Sequence, residues 1–335
     1  MDATITATES VSVSAGTGVK NTITSSNGSV SAGTRSGPIA ATISAKTGAT
    51  ASSLSGNITG NISVSNGGAT ITANGQLTST VSTNNGPLVV RVTQQISSPS
   101  LSAGAAAIDL ATLQDISSAV TATAGTTLTA WAGQSIDGTM VGTGDVNVVS
   151  QTNAVNGNVT SGANASVSAL TSISGTISAA QSASVYAMDG ISGNVTAGAA
   201  ATVVCLDNSI SGTVSAGGAL SEFARTNISG TASAGGDANV TAFGNINSMV
   251  SAGRDASVSV GGSTTASISA GRDLSLSAIG GINSPVTAGR DAFVASFGNV
   301  AGSVVAGRDA SLFAGGSTSG SVTAGGGENK GDAAL

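Results

Sequence analysis

The charged residues that could do chemistry are concentrated in one repeated tetrapeptide, Ala-Gly-Arg-Asp. Its four copies begin at Ala252, Ala270, Ala288 and Ala306, at a constant interval of eighteen positions, and a related Ala-Gly-Gly-Asp begins at Ala234. A short fixed period carried through several copies is typical of a repeat that stacks on itself. Stacking would place the acidic residues in one row and the basic residues in a second row beside it.

Two kinds of chemistry are open to these rows. The acidic row is Asp237, Asp255, Asp273, Asp291 and Asp309, and the basic row is Arg254, Arg272, Arg290 and Arg308. Stacked carboxylates repel each other unless they are neutralised, and calcium binds such oxygen ligands. Neighbouring guanidinium groups would neutralise them without a metal, as a structural ion-pair ladder along one corner. The sequence favours the ladder, because the Gly-Gly-x-Gly-x-Asp motif of calcium-binding repeats is absent. We therefore expect no metal and no other cofactor.

No catalytic pattern accompanies the ladder. The chain of 335 residues contains no histidine, which excludes Ser-His-Asp triads and histidine metal sites. Carbohydrate clefts use paired carboxylates and aromatic platforms, but only 2 % of the residues are aromatic. Asp189 and Asp207 are separated by the same interval of eighteen positions and could lie on adjacent coils, although solvated loop carboxylates explain them better. The other acidic residues are scattered: Asp109, Asp115, Asp137, Asp145 and Glu222. We predict that the protein is not an enzyme.

Composition limits both the core and the partners. Charged residues make up 8 % of the chain, against roughly 25 % in an ordinary globular protein. Apolar residues make up 40 %, which favours a thin core of Val, Ile and Ala over a disordered linker. The net charge of −6 makes nucleic acid an unexpected partner. No apolar run reaches the length of about 18 residues that a membrane-spanning helix needs.

Between successive tetrapeptides the residues alternate as they do in short β-strands. Counting from the Ala of each repeat as position 0, positions 4, 6, 12 and 16 are mostly small or apolar, with Ser, Asn and Thr around position 5. Position 6 is Val240, Val258, Leu276, Val294 and Leu312, and position 16 is Val250, Ile268, Val286, Val304 and Val322.

Glycine at positions 1 and 10, and small residues at position 14, mark three corners, where positive φ or close backbone approach is needed. Three corners and three short strands per repeat predict an all-β fold, a right-handed parallel β-helix (a β-solenoid) with triangular coils of about 18 residues.

The regularity of the period divides the chain. Residues 142–326 keep a step of eighteen or nineteen positions and are predicted to be regular β-helix repeats, whereas residues 1–141 are predicted to be irregular N-terminal coils. Ala15 and Ala32 each begin an Ala-Gly pair and suggest a step of seventeen positions near the start. Residues 86–120 fit the period worst, and residues 327–335 are expected to form a polar tail.

Three phenylalanines stand out on so plain a sequence. Phe293 and Phe313 fall at outward positions of adjacent coils, and Phe297 falls at the corner that follows Phe293. If exposed, these rings would form a docking patch for a partner. Alternatively, the corner turns them inward to plug the coil end, which is the interpretation that the sequence favours.

The repeat resembles a known family. The Ala-Gly-Arg-Asp and Ala-Gly-Gly-Asp corners, each followed by an alternating strand such as Ala256-Ser257-Val258-Ser259-Val260, are similar to the haemagglutinin-type repeats of filamentous haemagglutinin-like exoproteins. Those are bacterial surface or secreted proteins, exported by two-partner secretion, with right-handed parallel β-helices of about this coil size. The resemblance covers residues 142–326 well. Neither an Asn-rich N-terminal secretion domain nor a C-terminal toxin or processing module is recognisable.

The resemblance implies a structural shaft. We expect a non-catalytic segment of a longer, exported, adhesin-like protein, located outside the cell or on its surface, with a host or cell-surface receptor as one partner. Open sheet edges at the ends of a solenoid would allow a second possibility, a filament subunit that associates end to end or laterally with itself.

An ice-binding solenoid is the remaining alternative. It rests on the Thr-x-Thr pairs Thr4/Thr6, Thr22/Thr24, Thr70/Thr72 and Thr127/Thr129.

Overall fold

The computed structural model describes residues 1–325 and 333–334, and the described residues form strands and turns without any helix. Two compact units divide the chain, an N-terminal unit of Met1–Leu170 and a C-terminal unit of Thr171–Leu335. Within each unit every strand pairs in parallel with the equivalent strand of the next coil, so both units are parallel β-solenoids. Nine successive strands of one sheet in each unit make about 18 turns in all.

Two sheets build the coils. In the C-terminal repeats, sheet A contains the strand that ends at the Ala-Gly corner, and sheet B contains the strand that follows this corner. In the N-terminal unit, sheet A is β1 (Ile5–Ala7), β3 (Val19–Ser25), β5 (Ile39–Ala45), β7 (Ile62–Val64), β9 (Val81–Thr83), β11 (Leu101–Ala103), β13 (Thr121–Ala124), β15 (Thr139–Gly142) and β17 (Val159–Ser161). Sheet B of this unit is β2 (Val11–Ala15), β4 (Ser29–Thr34), β6 (Gly48–Ser53), β8 (Ala69–Ala73), β10 (Leu88–Val92), β12 (Ile108–Thr112), β14 (Leu128–Ala132), β16 (Val146–Ser150) and β18 (Ala165–Ala169).

The C-terminal unit repeats this plan with strands of more uniform length. Its sheet A is β20 (Ile177–Ala179), β23 (Val195–Ala197), β25 (Val214–Ala216), β27 (Ala232–Ala234), β29 (Val250–Ala252), β31 (Ile268–Ala270), β33 (Val286–Ala288), β35 (Val304–Ala306) and β37 (Val322–Ala324). Its sheet B is β21 (Ala183–Ala187), β24 (Ala201–Cys205), β26 (Leu220–Ala224), β28 (Ala238–Ala242), β30 (Ala256–Val260), β32 (Leu274–Ala278), β34 (Ala292–Ser296), β36 (Ala310–Ala314) and β38 (Ala333–Ala334).

The third side of each coil is much shorter than the sequence predicts. In the first coils this side is continuous with the long strands β3 and β5 of sheet A. The two-residue strands β19 (Ser172–Ile173) and β22 (Gly190–Ile191) pair in parallel, and in the other described coils this side is reduced to one bridged residue per coil. In the C-terminal unit the bridges follow position 12, through Ile210, Ile228, Ile246, Thr264, Ile282, Val300 and Thr318. One residue per coil therefore makes the bridge on this side, and it is buried at all of these positions except Thr318.

Alternation along the strands creates the core. In β30, Ala256, Val258 and Val260 are buried, whereas Ser257 and Ser259 are exposed. The next coil places Leu274, Leu276 and Ala278 directly over the buried set. Because side chains of a strand alternate between its faces, each coil contributes the same thin layer of Val, Leu, Ile and Ala to a continuous interior.

Glycine serves the corners by allowing close approach. A Cβ on Gly253 would lie 2.2 Å from the carbonyl oxygen of Gly235 one coil below, and a Cβ on Gly271 would lie 2.3 Å from that of Gly253. Neither residue has φ in the left-handed region. Corners stacked at the strand spacing of about 4.8 Å leave no room for a side chain that points along the stack.

The strand pairs of the N-terminal unit give its coil lengths directly. Val13 pairs with Ala32, and Ala15 pairs with Thr34, so the step is nineteen positions and the expected step of seventeen is wrong. Residues 86–120 belong to paired coils of nineteen to twenty-one positions, since Leu88 pairs with Ala69 and Ile108, and Leu101 pairs with Ala122. The extra residues lengthen the corners, where they disturb the paired strands least.

The division of the described structure falls after Leu170, whereas the sequence predicts the change of regularity after residue 141. The predicted polar tail, residues 327–335, lies outside the described residues except for the backbone of β38. In the part of the chain that the structure describes, no segment forms an apolar helix capable of crossing a bilayer.

Candidate functional site

The Arg and Asp rows of the C-terminal unit lie side by side at the corner before sheet B. Arg254 donates from Nε to Oδ1 of Asp237 (3.0 Å) and from Nη2 to Oδ2 (2.6 Å). The same two-point contact joins Arg272 to Asp255, Arg290 to Asp273 and Arg308 to Asp291, with Nε–Oδ1 distances of 2.7 Å. Each arginine therefore clasps the aspartate of the preceding coil.

Secondary contacts tie the ladder to the backbone. The N–H of Asp255 donates to Oδ1 of Asp237 (3.3 Å), and the N–H of Asp273 donates to Oδ1 of Asp255 (3.2 Å). Asp309 ends the row and contacts Nε of Arg308 in its own coil through Oδ2 (3.1 Å). The other contacts join equivalent positions of successive coils, so the ladder follows the register of the stack.

Electrostatics keep the carboxylates ionised. The hydrogen bond from Arg272 lowers the pKa of Asp255, and the hydrogen bond from Arg290 lowers the pKa of Asp273. The same hydrogen bonds raise the pKa of Arg272 and Arg290. A carboxylate held in this way is a poor proton donor, and a cation would have to displace a guanidinium to reach it. Among the described residues, no group of three or more His, Cys, Asp or Glu side chains is placed to hold a metal ion.

A groove of about 1110 Å³ follows the ladder. Its floor is the small apolar row at position 4, such as Ala256 and Leu274, and its edges are the aspartates and the hydroxyl row of Ser257 and Ser275. The charged edge is already paired with arginine, so the groove offers paired charges and hydroxyls to solvent, not free carboxylates.

The scattered acidic residues of the N-terminal unit also bond from coil to coil. Asp109 pairs with Arg91 on the neighbouring strand. Oδ1 of Asp115 accepts from the N–H of Ser135 (2.8 Å), and Oδ1 of Asp137 accepts from Nδ2 of Asn156 (2.7 Å). Oδ1 of Asp145 accepts from the N–H and Nδ2 of Asn164, both at 3.0 Å.

Asp189 and Asp207 follow β21 and β24, whose ends pair as Ala187 and Cys205, so they lie on adjacent coils. Asp189 also lines a small hollow of about 300 Å³ with Ser172 and Asn208. The residues that line this hollow include neither Asp207 nor an aromatic ring, so the hollow does not bring two carboxylates together.

Glu222 is a residue whose position sequence reasoning missed. It lies in β26 between Val203 and Val240, is 2 % exposed, and neither carboxylate oxygen has a hydrogen-bond partner. Burial raises its pKa to about 8. The signal was available, because position 6 of the repeat that begins at Ala216 is Glu222, where the following repeats have Val or Leu.

A row of asparagines was also missed. Oδ1 of Asn227 accepts from the N–H of Asn245 (2.7 Å), and Oδ1 of Asn245 accepts from the N–H of Ser263 (2.8 Å). Asn299 repeats this contact with Ser317 (2.9 Å). These residues occupy position 11, next to the bridged residue at position 12, so the amide oxygen satisfies a backbone donor that the short third side leaves unpaired.

The inward interpretation of the phenylalanines is wrong. Phe293, Phe297 and Phe313 are 54 %, 72 % and 58 % exposed. Positions 5 and 7 alternate with buried positions 4, 6 and 8 along the strand, and the thin interior is already filled by residues such as Val294. Phe243 and Ile279, at the same corner position as Phe297, are exposed to a similar degree.

None of the protein families, curated proteins or solved structures with which the chain was compared matches it.

The threonine pairs do not form one flat rank. Thr6 pairs with Thr24 in sheet A, and Thr24 pairs with Ser44. Thr70 and Thr129 instead lie in β8 and β14 of sheet B. Side chains on different sheets of a coil face different directions, so these pairs present no continuous threonine surface.

Proposed function

We propose that this chain is a non-catalytic structural shaft in a bacterial surface or secreted, adhesin-like exoprotein. One observation carries the proposal. Hydrogen-bond donors and acceptors of both the backbone and the side chains bond one coil to the next. The ion-pair ladder, the asparagine row and the aspartates of the N-terminal unit all bond across coils. Residues used in this way hold the stack together and leave little for substrate chemistry.

The buried columns support the same role. Position 6 of successive repeats stacks Val240, Val258, Leu276 and Val294 without exposure above 2 %. Pulling such a stack apart breaks hydrogen bonds and apolar contacts in every coil, so each unit resists a force applied along its length. Export and surface location are proposed on the resemblance of the Ala-Gly-Arg-Asp repeats to haemagglutinin-type repeats, and a cell-surface receptor would bind elsewhere on the same exoprotein.

Force spectroscopy tests the mechanical part. With handles on both ends, we expect stepwise extension in increments that are multiples of one coil, each about 60 Å for a fully extended repeat of this length. Chelation of divalent cations should leave the pattern unchanged, because guanidinium groups neutralise the aspartates. Smooth extension at low force would contradict a shaft.

The remaining alternatives have their own readouts. Depolymerisation of a glycan would contradict the non-catalytic role, ordered fibres in negative-stain micrographs would support a filament subunit, and thermal hysteresis would support ice binding. For export, the decisive observation is the full reading frame and its neighbours: a secretion domain upstream or an outer-membrane transporter gene beside it would support the proposal.

A further inference from the structure

A line of mostly exposed apolar residues runs along the C-terminal unit, with Phe223 half-buried at one end. They occupy position 7, on the outer face of sheet B, and position 9, at the corner after it. The stripe consists of Phe223, Phe243, Gly261, Ile279, Phe297 and Phe313, and we call it the aromatic stripe. Phe243, Ile279, Phe297 and Phe313 are more than half exposed, and Phe223 meets Phe243 edge to face with ring centroids 5.4 Å apart.

The register of the coils aligns these residues in two straight columns. Position 7 runs from Phe223 through Thr241, Ser259, Ser277 and Ala295 to Phe313, each paired with the next. At position 9, the N–H of Phe243, Gly261, Ile279 and Phe297 each donates to the last carbonyl of sheet B one coil earlier, at 2.8–3.1 Å. Each column therefore gains one residue per coil, and successive coils are about 4.8 Å apart.

No charge interrupts this surface in the coils from Phe243 to Gly315. Besides Phe313, the outward positions 5 and 7 of these coils hold Asn, Thr, Ser and Ala, together with the exposed Phe293 at position 5. Covering the surface would desolvate hydroxyl groups and no ion, which keeps the penalty small. A patch of this size on so polar a solenoid marks an interaction surface.

The order of the residues along the stripe is symmetric. From one end to the other it reads Phe at position 7, Phe at position 9, Gly and then Ile at position 9, Phe at position 9 and Phe at position 7. A two-fold axis parallel to the strands, placed between the coils of Gly261 and Ile279, reverses the order of the coils and keeps each repeat position. Such an axis superposes the stripe on itself.

We propose that the aromatic stripe binds a second copy of this chain, face to face and antiparallel, about that two-fold axis. Phe223 then opposes Phe313 of the second copy, Phe243 opposes Phe297, and Ile279 enters the gap above Gly261. Two-fold dimers require a self-complementary surface, and the symmetric order supplies one.

The exposed side chains supply a large part of the area that a stable pair needs. Four aromatic or aliphatic side chains, each more than half exposed, offer on the order of 100 Å² apiece. The Ser, Thr, Gly and Ala rows between and beside them bring the footprint towards the roughly 800 Å² per partner of a standard interface.

The centre of the interface combines a knob with a hole. Gly261 is required by its own coil, because a Cβ there would lie 2.0 Å from the carbonyl oxygen of Phe243. No such requirement explains Ile279, which is 65 % exposed at the same corner one coil later. At the edge of the interface, Arg225 at position 9 lies opposite Gly315 of the second copy and beside its Phe313 ring, which suits a cation–π contact.

Charge exchange across the interface tests the proposal in the intact protein. Sedimentation velocity over two decades of concentration should show a dimer. Phe243→Arg and Phe297→Glu, each alone, should weaken dimerisation at least tenfold, because each buries an unpaired charge. The double variant Phe243→Arg/Phe297→Glu should recover the dimer, because each arginine then faces a glutamate of the second copy. Circular dichroism establishes that every variant keeps the β-fold.

The matched control is Leu113→Glu, which changes an equally exposed side chain at the equivalent corner of the N-terminal unit; it should leave the dimer intact. A monomeric wild-type protein at all concentrations would overturn the proposal, as would a dimer indifferent to Phe297→Glu. A double variant as weak as the single variants would overturn the antiparallel register, since a parallel pair sets arginine against arginine. The inference does not depend on the shaft role, which force spectroscopy tests separately.

Discussion

At the scale of single residues, Glu222 is the main departure from the pattern of the core. A carboxyl group occupies a column in which neighbouring coils place valine, without a hydrogen-bond partner. Desolvation raises its pKa from 4.5 to about 8, so the folded unit holds this group neutral at physiological pH.

A pH dependence of stability follows. Between pH 4.5 and 8 the folded unit retains a proton on Glu222 that the unfolded chain releases, so the part of the stability that depends on Glu222 is greatest below pH 4.5 and falls as pH rises towards 8. The loss at pH 8 and above is roughly 5 kcal/mol. We expect Glu222→Val to remove this slope and to raise the denaturant midpoint at pH 8 far more than at pH 5. Chemical denaturation followed by circular dichroism at both pH values measures it.

Glu222→Gln is the matched control, because it keeps the polar bulk but cannot titrate: it should remove the slope and gain less stability than valine. The ladder aspartates act in the opposite direction. Their lowered pKa values mean that their contribution is lost only in strong acid, as pH falls through those values. A wild-type slope that survives in Glu222→Val would show that Glu222 is solvated.

At the scale of the coil, the corner glycines decide how closely elements stack. Gly253→Ala forces a Cβ against the carbonyl oxygen of Gly235, which lies 2.2 Å away, and the backbone must move to relieve it. We expect a loss of about 1–3 kcal/mol in the free energy of unfolding. Equilibrium chemical denaturation, followed by circular dichroism, measures the change in the free energy of unfolding.

Gly190→Ala separates this effect from a general cost of replacing glycine. The nearest atom to a Cβ at Gly190 is the carbonyl oxygen of Ser209 at 3.8 Å, an ordinary contact. The substitution should be neutral or mildly stabilising, because it restricts the unfolded chain. Equal losses for both variants would mean that stacking distance is not what selects glycine.

At the scale of each whole unit, stability is the sum of coil and coil-to-coil terms. Val322 and Ala324 of β37 are only half-buried, whereas the equivalent Val304 and Ala306 of β35 are buried. We expect amides of β28 to β34 to exchange with solvent more slowly than those of β37, by roughly tenfold or more. Hydrogen exchange with peptide-level mass spectrometry measures it. Uniform exchange across all coils would indicate a single cooperative unit.

Much of the fold was readable from particular residues. Ala252, Ala270, Ala288 and Ala306 set the period, and alternation in segments such as 256–260 set which side chains are buried. Both signals are local, because the stacking of equal coils gives each repeat position the same surroundings in every coil. The sequence therefore predicts a parallel β-solenoid, and the structure confirms it.

Other features depended on neighbours that the linear pattern does not name. Nothing at Arg272 says that its two-point contact is with Asp255 of the previous coil, with the adjacent Asp273 farther from Nε at 3.6 Å, since this depends on how the corner orients the side chain. An inward Phe297 is expected from sequence because aromatic rings are usually buried, but a core only a few side chains wide has no space for it. The third side is a column of single bridges, because asparagine side chains at position 11 accept hydrogen bonds that the backbone of a longer strand would accept.

The amino-acid sequence by itself determined the period, the buried columns and the location of the corners, because each depends on residue types at a constant spacing. Only the tertiary structure decided the partners of Arg254 to Arg308, the outward direction of the phenylalanines and the isolation of Glu222. These depend on distances between coils, where a displacement of a few ångströms separates an ion pair from a solvated charge and a filled interior from an exposed ring.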